Sequence, residues 1–548
     1  MLGRAIERWT HKIRSKTAHL TSVAPHVVWP FVEPPPTRLL FSPVDVRGGS
    51  AEKGRWLAHG GIFTYGDDQL ELHNANWMPD DVAPVWIEHL HGFEWLRDLR
   101  ALGGDTGRRA ARMMIENWMD TYPRWDVIAW RADVLGARLA NWMSAYDFYG
   151  ESASDAFQEQ FFDSVHKQSR HLARSLPGSL HGIALLRAIR GLAYVGLCLE
   201  GREQALEQAL TLLHKEIGKQ ILSDGGHVSR NPAQLFEAIN ILVDIRCALQ
   251  KGGYPAIAKI QHALDRAVPA LRFFRHSDQK YALFNGVQEG DPAAAKSVML
   301  HSGSRVKPLS SLPHTGFERI AQGRGLLIMD TGKPPAYPYD ESVHASPLSF
   351  EFSYGRDRIF TNCGGHPTCP KWQDALRATP AHNTITIDHR NACEIHKDGS
   401  MGRKPRVVQL SREDMGEAVL IDACHDGYVP LNGITHRRRL YLANQGGDLR
   451  GEETLNCAVG LSKSHEIIAR FHLHPRVLVS LVQGGTEALL RLPAGPGWRF
   501  TLSGEAALTL ENSIYLGEGL RPRKTKQIVL TAPMAADTLQ LKWALQRE

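Results

Sequence analysis

The sequence predicts an α+β chain in which an N-terminal (α/α) toroid is followed by a C-terminal antiparallel β-sandwich, and three observations support this. At 548 residues the chain exceeds what one hydrophobic core usually serves. From about residue 80 to about 280, apolar residues recur at three- and four-residue spacing, the period of helices with one buried face. After about residue 310 the pattern changes to short alternating runs separated by Gly, Pro, Asn and Asp. Helices first and strands afterwards argue for segregated domains rather than a βαβ enzyme, and no glycine-rich phosphate loop follows a strand.

Residues 1–50 read as an extended lead-in, because Glu33-Pro-Pro-Pro36 and Arg47-Gly-Gly-Ser50 break any regular element. The helical domain is assigned to 51–305, with helices expected over 82–101, 107–120, 126–149, 155–176, 181–200, 202–222, 232–251 and 255–276. Gly103-Gly104, Pro177-Gly178, Gly225-Gly226 and Gly252-Gly253 punctuate them as caps and turns. Successive helical hairpins of this kind commonly curl into a toroid. The β domain is assigned to 306–548, with strands expected at Asn383–Asp388, Ala418–Ala423, Arg437–Leu442, Ile467–His472 and Ile528–Ala532. A hairpin is expected between His344 and Gly365, turning at Gly355-Arg-Asp357. It leaves two imidazoles, His344 and His382, and the Asn362 amide at strand ends, a spacing suited to a metal ion or an anionic sugar.

Composition narrows the function classes. Hydrophobic residues at 43% and charged residues at 22% fit an ordinary globular protein. A formal charge of +6 is too weak for a nucleic-acid partner but compatible with an acidic substrate. No apolar run approaches the roughly 20 residues of a membrane span, and the N-terminus lacks the apolar core of a cleaved signal. Seven scattered cysteines are unlike a disulfide framework. A cytoplasmic location is expected, with the periplasm as the alternative because polysaccharide-degrading enzymes are more often exported. Cys363-Gly-Gly-His366-Pro-Thr-Cys369 lacks the second half of a zinc site. Arg437-Arg-Arg439 reads as a strand with its basic face in solvent or toward a cleft.

The chain resembles the heparinase II/III-like proteins, which include lyases for heparin, heparan sulfate and alginate. The resemblance rests on Trp86-Ile-Glu-His89-Leu-His91-Gly-Phe-Glu-Trp95, Trp130-Arg131-Ala-Asp-Val-Leu-Gly-Ala-Arg138-Leu-Ala-Asn141-Trp142 and Gly191-Leu-Ala-Tyr-Val-Gly-Leu in the helical half. In the β half it rests on the His344 hairpin, Arg377-Ala-Thr-Pro-Ala-His382-Asn383-Thr384 and Gly433-Ile-Thr-His436-Arg-Arg-Arg439. It implies a toroid and a sandwich with the active cleft between them, acting on an acidic polysaccharide or oligosaccharide. It also implies one divalent metal, zinc or calcium, at His344, Asn362 and His382. Four departures accompany it: Asn362 stands where the family has Asp, Ser342 where it has a first motif His, Gln234 or Leu235 where it has a catalytic Tyr, and Ser179-Leu-His181 is the nearest equivalent of the Asn-His pair the family carries ahead of the helix at 181–200.

β-Elimination of a uronate polymer needs a base for the C5 proton, an acid for the leaving O4 and a group that stabilises the developing carbanion. His227, beside Arg230 in a glycine-rich turn, is the first candidate base, and His344 joins the catalytic set. Tyr337 and Tyr339 are the candidate acids. For the sugar, Arg131, Arg138 and Trp142 lie on nearly one side of their helix. Arg grips a carboxylate or sulfate with two hydrogen bonds, and Trp offers a flat face to a pyranose. Asn141, His89, His181, Arg187 and Arg230 complete the substrate-binding candidates.

Overall fold

The computed structural model describes residues 34–72 and 76–548, so the expected lead-in is described only from Pro34 and its earlier part lies outside the described residues. From Pro34 to Ser50 the backbone forms no helix or strand. Helices follow at Ala51–Gly60, Pro84–Gly92, Leu96–Leu102, Gly104–Thr121, Ala132–Tyr149, Asp155–Ser175, Gly182–Cys198, Glu203–Gln220, Pro232–Lys251, Ala258–Phe273 and Pro292–His301. The single helix expected over 82–101 is two, because Phe93 adopts the left-handed conformation (φ 58°) with its side chain fully buried and ends the first of them. A small antiparallel hairpin, β1 (Ile62–Tyr65) and β2 (Asp68–Glu71), was not expected.

Glycine permits a close helix contact. A Cβ on Gly191 would lie 2.4 Å from the Gly136 Cα, and one on Gly136 would lie 2.6 Å from the Ala188 Cα. The helices Ala132–Tyr149 and Gly182–Cys198 therefore approach backbone to backbone, and both are buried around almost their whole circumference.

The β region contains β3 (Ser311–Leu312), β4 (Phe317–Gln322), β5 (Gly325–Asp330), β6 (Phe350–Tyr354), β7 (Asp357–Phe360), β8 (Ile385–Ile387), β9 (Val408–Asp414), β10 (Val419–Tyr428), β11 (Ile434–Ala443) and β12 (Asp448–Cys457). It continues with β13 (His465–His472), β14 (Leu478–Val482), β15 (Glu487–Arg491), β16 (Gly497–Ser503), β17 (Ala507–Tyr515), β18 (Arg523–Met534) and β19 (Thr538–Arg547). They form sheets in the orders β14-β15-β16-β19-β12-β11-β10-β9, β17-β18-β13-β8 and β3-β4-β5-β6-β7. The expected hairpin is β6–β7, paired Tyr354 to Asp357 around Gly355. One apolar core, including Phe350, Phe360, Phe471, Trp498, Phe500 and Trp543, joins the sheets.

The chain divides into two compact units. The first contains the described residues up to Gln220 with Glu237–Leu264 and Lys296–Gly303; the second contains Ile221–Phe236, Asp265–Ala295 and Ser304–Glu548.

Candidate functional site

In the second unit, the loop after Gln220 is pinned by Asp224, whose carboxylate accepts from the backbone N–H groups of Gly226, His314 and Thr315 and from Thr315 Oγ1. Gly225, at φ 87°, passes so near Arg266 that a Cβ would lie 2.0 Å from its carbonyl oxygen, which only glycine permits. His227 is consequently 1% exposed, with Nδ1 2.7 Å from Ser229 Oγ and 3.2 Å from the Ser229 backbone nitrogen. That N–H can only donate, so Nδ1 is the acceptor and the neutral ring carries its proton on Nε2. Burial pushes the His227 pKa down to about 3.

Asn285 ties this loop to the start of the hairpin. Its Nδ2 donates to the Arg230 carbonyl (2.8 Å), its Oδ1 accepts from the His344 N–H (3.1 Å), and its carbonyl accepts from Asn231 Nδ2 (2.6 Å). His344 Nδ1 stands 3.0 Å from His382 Nε2, which is also 3.1 Å from the Leu376 carbonyl. A carbonyl only accepts, so His382 Nε2 bears the proton and His344 Nδ1 receives it. Burial lowers the pKa of both rings, His382 to about 3 and His344 well below its ordinary value. Asn362 Oδ1 accepts from the Asn383 N–H (3.0 Å), so the predicted trio His344, Asn362 and His382 does share one neighbourhood. Tyr337 and Tyr339 are half-buried in the segment leading to it.

Arg230 does not point to a sugar. It pairs with buried Asp330, donates to the carbonyls of Thr315 (2.7 Å) and Gly316 (3.1 Å), and covers the Phe317 ring at 4.8 Å. Three candidates in the first unit are also corrected by burial. Trp142 is 0% exposed and has no face for a pyranose. Arg138, equally buried, gives Nε to Gln168 Oε1 and Nη1 to the His91 and Ala129 carbonyls, with its guanidinium 4.0 Å from the Trp118 ring centre. Asn141 donates to the Gly92 carbonyl (2.8 Å). A helix buried on all sides presents no sugar-facing side, so the seven- and four-residue spacing marks packing.

Other first-unit candidates gather elsewhere. Arg131 pairs with Glu88 (2.7 Å) and Asp133 (2.6 Å). His89 and Arg187 line a cavity of about 240 Å³, together with Tyr65, Glu88, Glu94, Asp133 and Glu237. His181, half-buried, precedes the helix Gly182–Cys198 and lies outside that lining.

Two family descriptions match the chain: "Heparinase II/III N-terminus" over residues 61–296 and "Heparinase II/III-like, C-terminal" over residues 304–544. The chain belongs to the heparinase II/III-like family. A curated relative, "FtsZ-localized protein C" of Caulobacter vibrioides, is 30% identical over 541 residues, covering 94% of this chain and 91% of that protein. Among solved structures, "Heparinase III" aligns with a TM-score of 0.71 at 13% identity, over 98% of this chain and 89% of its own. The heparan sulfate lyase HepC of Pedobacter heparinus aligns with a TM-score of 0.60 at 15% identity, over 98% and 88%. These likenesses show the fold, a helical toroid followed by an antiparallel β-sandwich.

The metal suggested by the heparinase II/III resemblance does not suit the side chains present. Zinc sites take four N, S or O ligands with anionic members common, and calcium takes roughly six to eight oxygens. Here the two facing imidazole nitrogens are joined by a hydrogen bond, and the Asn362 oxygen is taken by Asn383. The neighbouring carboxylate, Glu351, serves the Asn362 N–H (2.8 Å) and His276 (3.0 Å). Among the described residues, no three His, Cys, Asp or Glu converge to hold a metal. No described helix is long and apolar enough to cross a membrane.

Two of the family departures meet in space: Gln234 Nε2 lies 3.4 Å from Ser342 Oγ. Neither side chain titrates near neutral pH, so where the resemblance implies a phenol and an imidazole, this chain has an amide and a hydroxyl.

The sequence reading missed Arg438. It is fully buried, pairs with Glu453 across β11 and β12, and gives Nη1 to the carbonyls of Leu348 (2.7 Å) and Asn383 (2.6 Å), the turns that carry His344 and His382. The β11 alternation could have revealed it, since residues 434, 436, 438, 440 and 442 share one face with three large aliphatics. Asn285, by contrast, carries no sequence signal.

Proposed function

We propose that this protein is a lyase that cleaves an acidic, uronate-containing glycan by β-elimination. The observation that carries the reading is the Asn285 clamp, which locks the His227 loop and His344 into one assembly of neutral imidazoles. In these tautomers the Nδ1 lone pairs are taken by Ser229 and His382, so His344 offers its Nε2–H as a proton donor, and an anionic uronate beside it raises the ring's pKa toward the working range. Family membership over both halves of the chain supports the same substrate class. Purified protein incubated with alginate, heparin, heparan sulfate and bacterial uronate polymers is expected to generate the unsaturated-uronate absorbance. His344→Ala is expected to abolish it. Flat traces across the panel would refute the reading.

The Gln234–Ser342 contact favours a second reading: a catalytically degenerate glycan-binding protein of envelope or capsule polysaccharide metabolism. The Caulobacter relative is named for localisation with FtsZ rather than for an activity, which supports it. Retention of the protein by an acidic polysaccharide in affinity electrophoresis, with no absorbance change, would select this reading.

A further inference from the structure

The sheet β17-β18-β13-β8 brings a serine and a histidine together. Glu511 of β17 pairs with Gln527 of β18, and Gln527 pairs with His472 of β13, so these side chains share one face, and Ser513, two residues beyond Glu511, lies on it as well. Ser513 Oγ stands 2.7 Å from His472 Nδ1, and His472 Nε2 stands 2.9 Å from the Pro380 carbonyl. A carbonyl only accepts, so Nε2 carries the proton and the Nδ1 lone pair receives the Ser513 hydroxyl. Burial lowers the His472 pKa to about 4, which keeps the ring neutral near pH 7. Nucleophile, base and orienting acceptor follow one another as they do where a hydroxyl is activated for attack.

His472 Nδ1 also lies 3.5 Å from Cys363 Sγ, but that thiol is 3% exposed and burial pushes its pKa up to about 12. Ser513 is half-buried and opens on a cavity of about 320 Å³. Ala375, Leu376, Ala381 and Ile514 give this cavity apolar walls, a space for a short acyl chain. Gln527 lines it too. Its Nε2 faces the Glu511 carboxylate (3.4 Å) and the Asn512 carbonyl (3.3 Å), which fixes the other atom as oxygen, and that Oε1 is buried with no hydrogen-bond partner. Buried polar atoms are nearly always satisfied, so this acceptor points to a donor supplied by a ligand. Leu516 gives its N–H to the Cys363 carbonyl (2.7 Å) at the edge of β17. Alternate amides of an extended chain point the same way, so the Ile514 N–H, one residue after Ser513, is directed to that edge and is the donor for a developing oxyanion.

We propose that this site hydrolyses acetyl esters of a hydroxyl-rich alcohol such as a sugar, with Ser513 as nucleophile and His472 as base. Ser513 Oγ bonds to the acyl carbon as its proton passes to His472 Nδ1. The bond from the acyl carbon to the alcohol oxygen breaks, and the alcohol leaves with that proton. Water then attacks the acyl-serine and gives a proton to Nδ1; Oγ takes it back as acetic acid departs. Gln527 Oε1 accepts from a neighbouring hydroxyl of the alcohol. This activity is separate from the lyase reading and does not depend on it.

The test treats the full chain with a fluorophosphonate, locates the adduct by peptide mass spectrometry, and follows hydrolysis of p-nitrophenyl acetate, p-nitrophenyl octanoate and 6-O-acetylglucose. The adduct is expected on Ser513. Ser513→Ala should slow hydrolysis of both acetyl esters by at least about tenfold with the far-UV circular dichroism unchanged. The octanoate should react at least about tenfold more slowly than the acetate. Gln527→Leu should raise KM for 6-O-acetylglucose and spare KM for p-nitrophenyl acetate, which has no hydroxyl to offer. Labelling of the unsubstituted chain decides the nucleophile even where Ser513→Ala misfolds. A Ser513 that takes no label, or undiminished hydrolysis by folded Ser513→Ala, would overturn the proposal, and equal rates on acetate and octanoate would overturn the short acyl chain. None of these readouts involves the unsaturated-uronate absorbance, so failure of the lyase reading leaves them standing.

Discussion

Removing Glu453 should cost far more than its single carboxylate suggests. The carboxylate is fully buried and accepts from Arg438 Nε (2.8 and 3.0 Å), His436 Nε2 (2.8 Å) and Trp543 Nε1 (3.2 Å). In Glu453→Leu the Arg438 charge remains in the core without a counter-ion, a loss of about 3–5 kcal/mol. Adding Arg438→Met removes that orphaned charge but leaves the Leu348 and Asn383 carbonyls without a donor, at about 1–3 kcal/mol each. The double variant should therefore lose about as much as Glu453→Leu alone, and much less than the two single losses summed. The sign with pH is fixed as well. Burial raises the Glu453 pKa, but Arg438, His436 and Trp543 outweigh it and hold the folded value below the ordinary one. Its contribution is thus present above the unfolded pKa, near 4.3, and is lost as pH falls through the folded value. Because a chain of two units need not unfold in one step, the measurement is native-state hydrogen exchange of the β11 and β12 amides in increasing urea. A loss below about 1 kcal/mol for Glu453→Leu at pH 7, or strict additivity in the double variant, would refute the reasoning.

His227 has a folded pKa near 3 against an unfolded value near 6.5, so its contribution is complete above pH 6.5 and is lost as pH falls toward 3. His227→Gln should reduce the slope of stability against pH between 6 and 4 by about 1.4 kcal/mol per unit, one proton's worth, in urea titrations at stepped pH. Trp142→Phe and Arg138→Met should lower the thermal unfolding temperature yet leave glycan binding by the folded protein unchanged. Weaker binding without loss of stability would return both residues to the site.

Periodicity made the order of helices and strands legible, and the Gly355 turn with its alternating flanks located the β6–β7 hairpin. Helix ends that rely on backbone conformation escaped it: Phe93 reads as one more apolar residue in a periodic run, and only its left-handed φ splits the helix. Proximity was more legible than side-chain role. Strand ends and family motifs single out His344, Asn362 and His382, which the fold brings into one hydrogen-bonded neighbourhood. Arg138, Trp142 and Arg230 were misplaced because spacing cannot tell a buried face from a ligand-facing one.

What the linear chain encodes most directly is local: which segments coil, which extend, and which residue types the family motifs single out. Whether an arginine meets a sugar or a glutamate depends on partners distant in sequence, as with Arg438 and Glu453 or Asn285 and His344. Charge and hydrogen-bond satisfaction are properties of an enclosed space, and such a space exists only once the helices and sheets have packed.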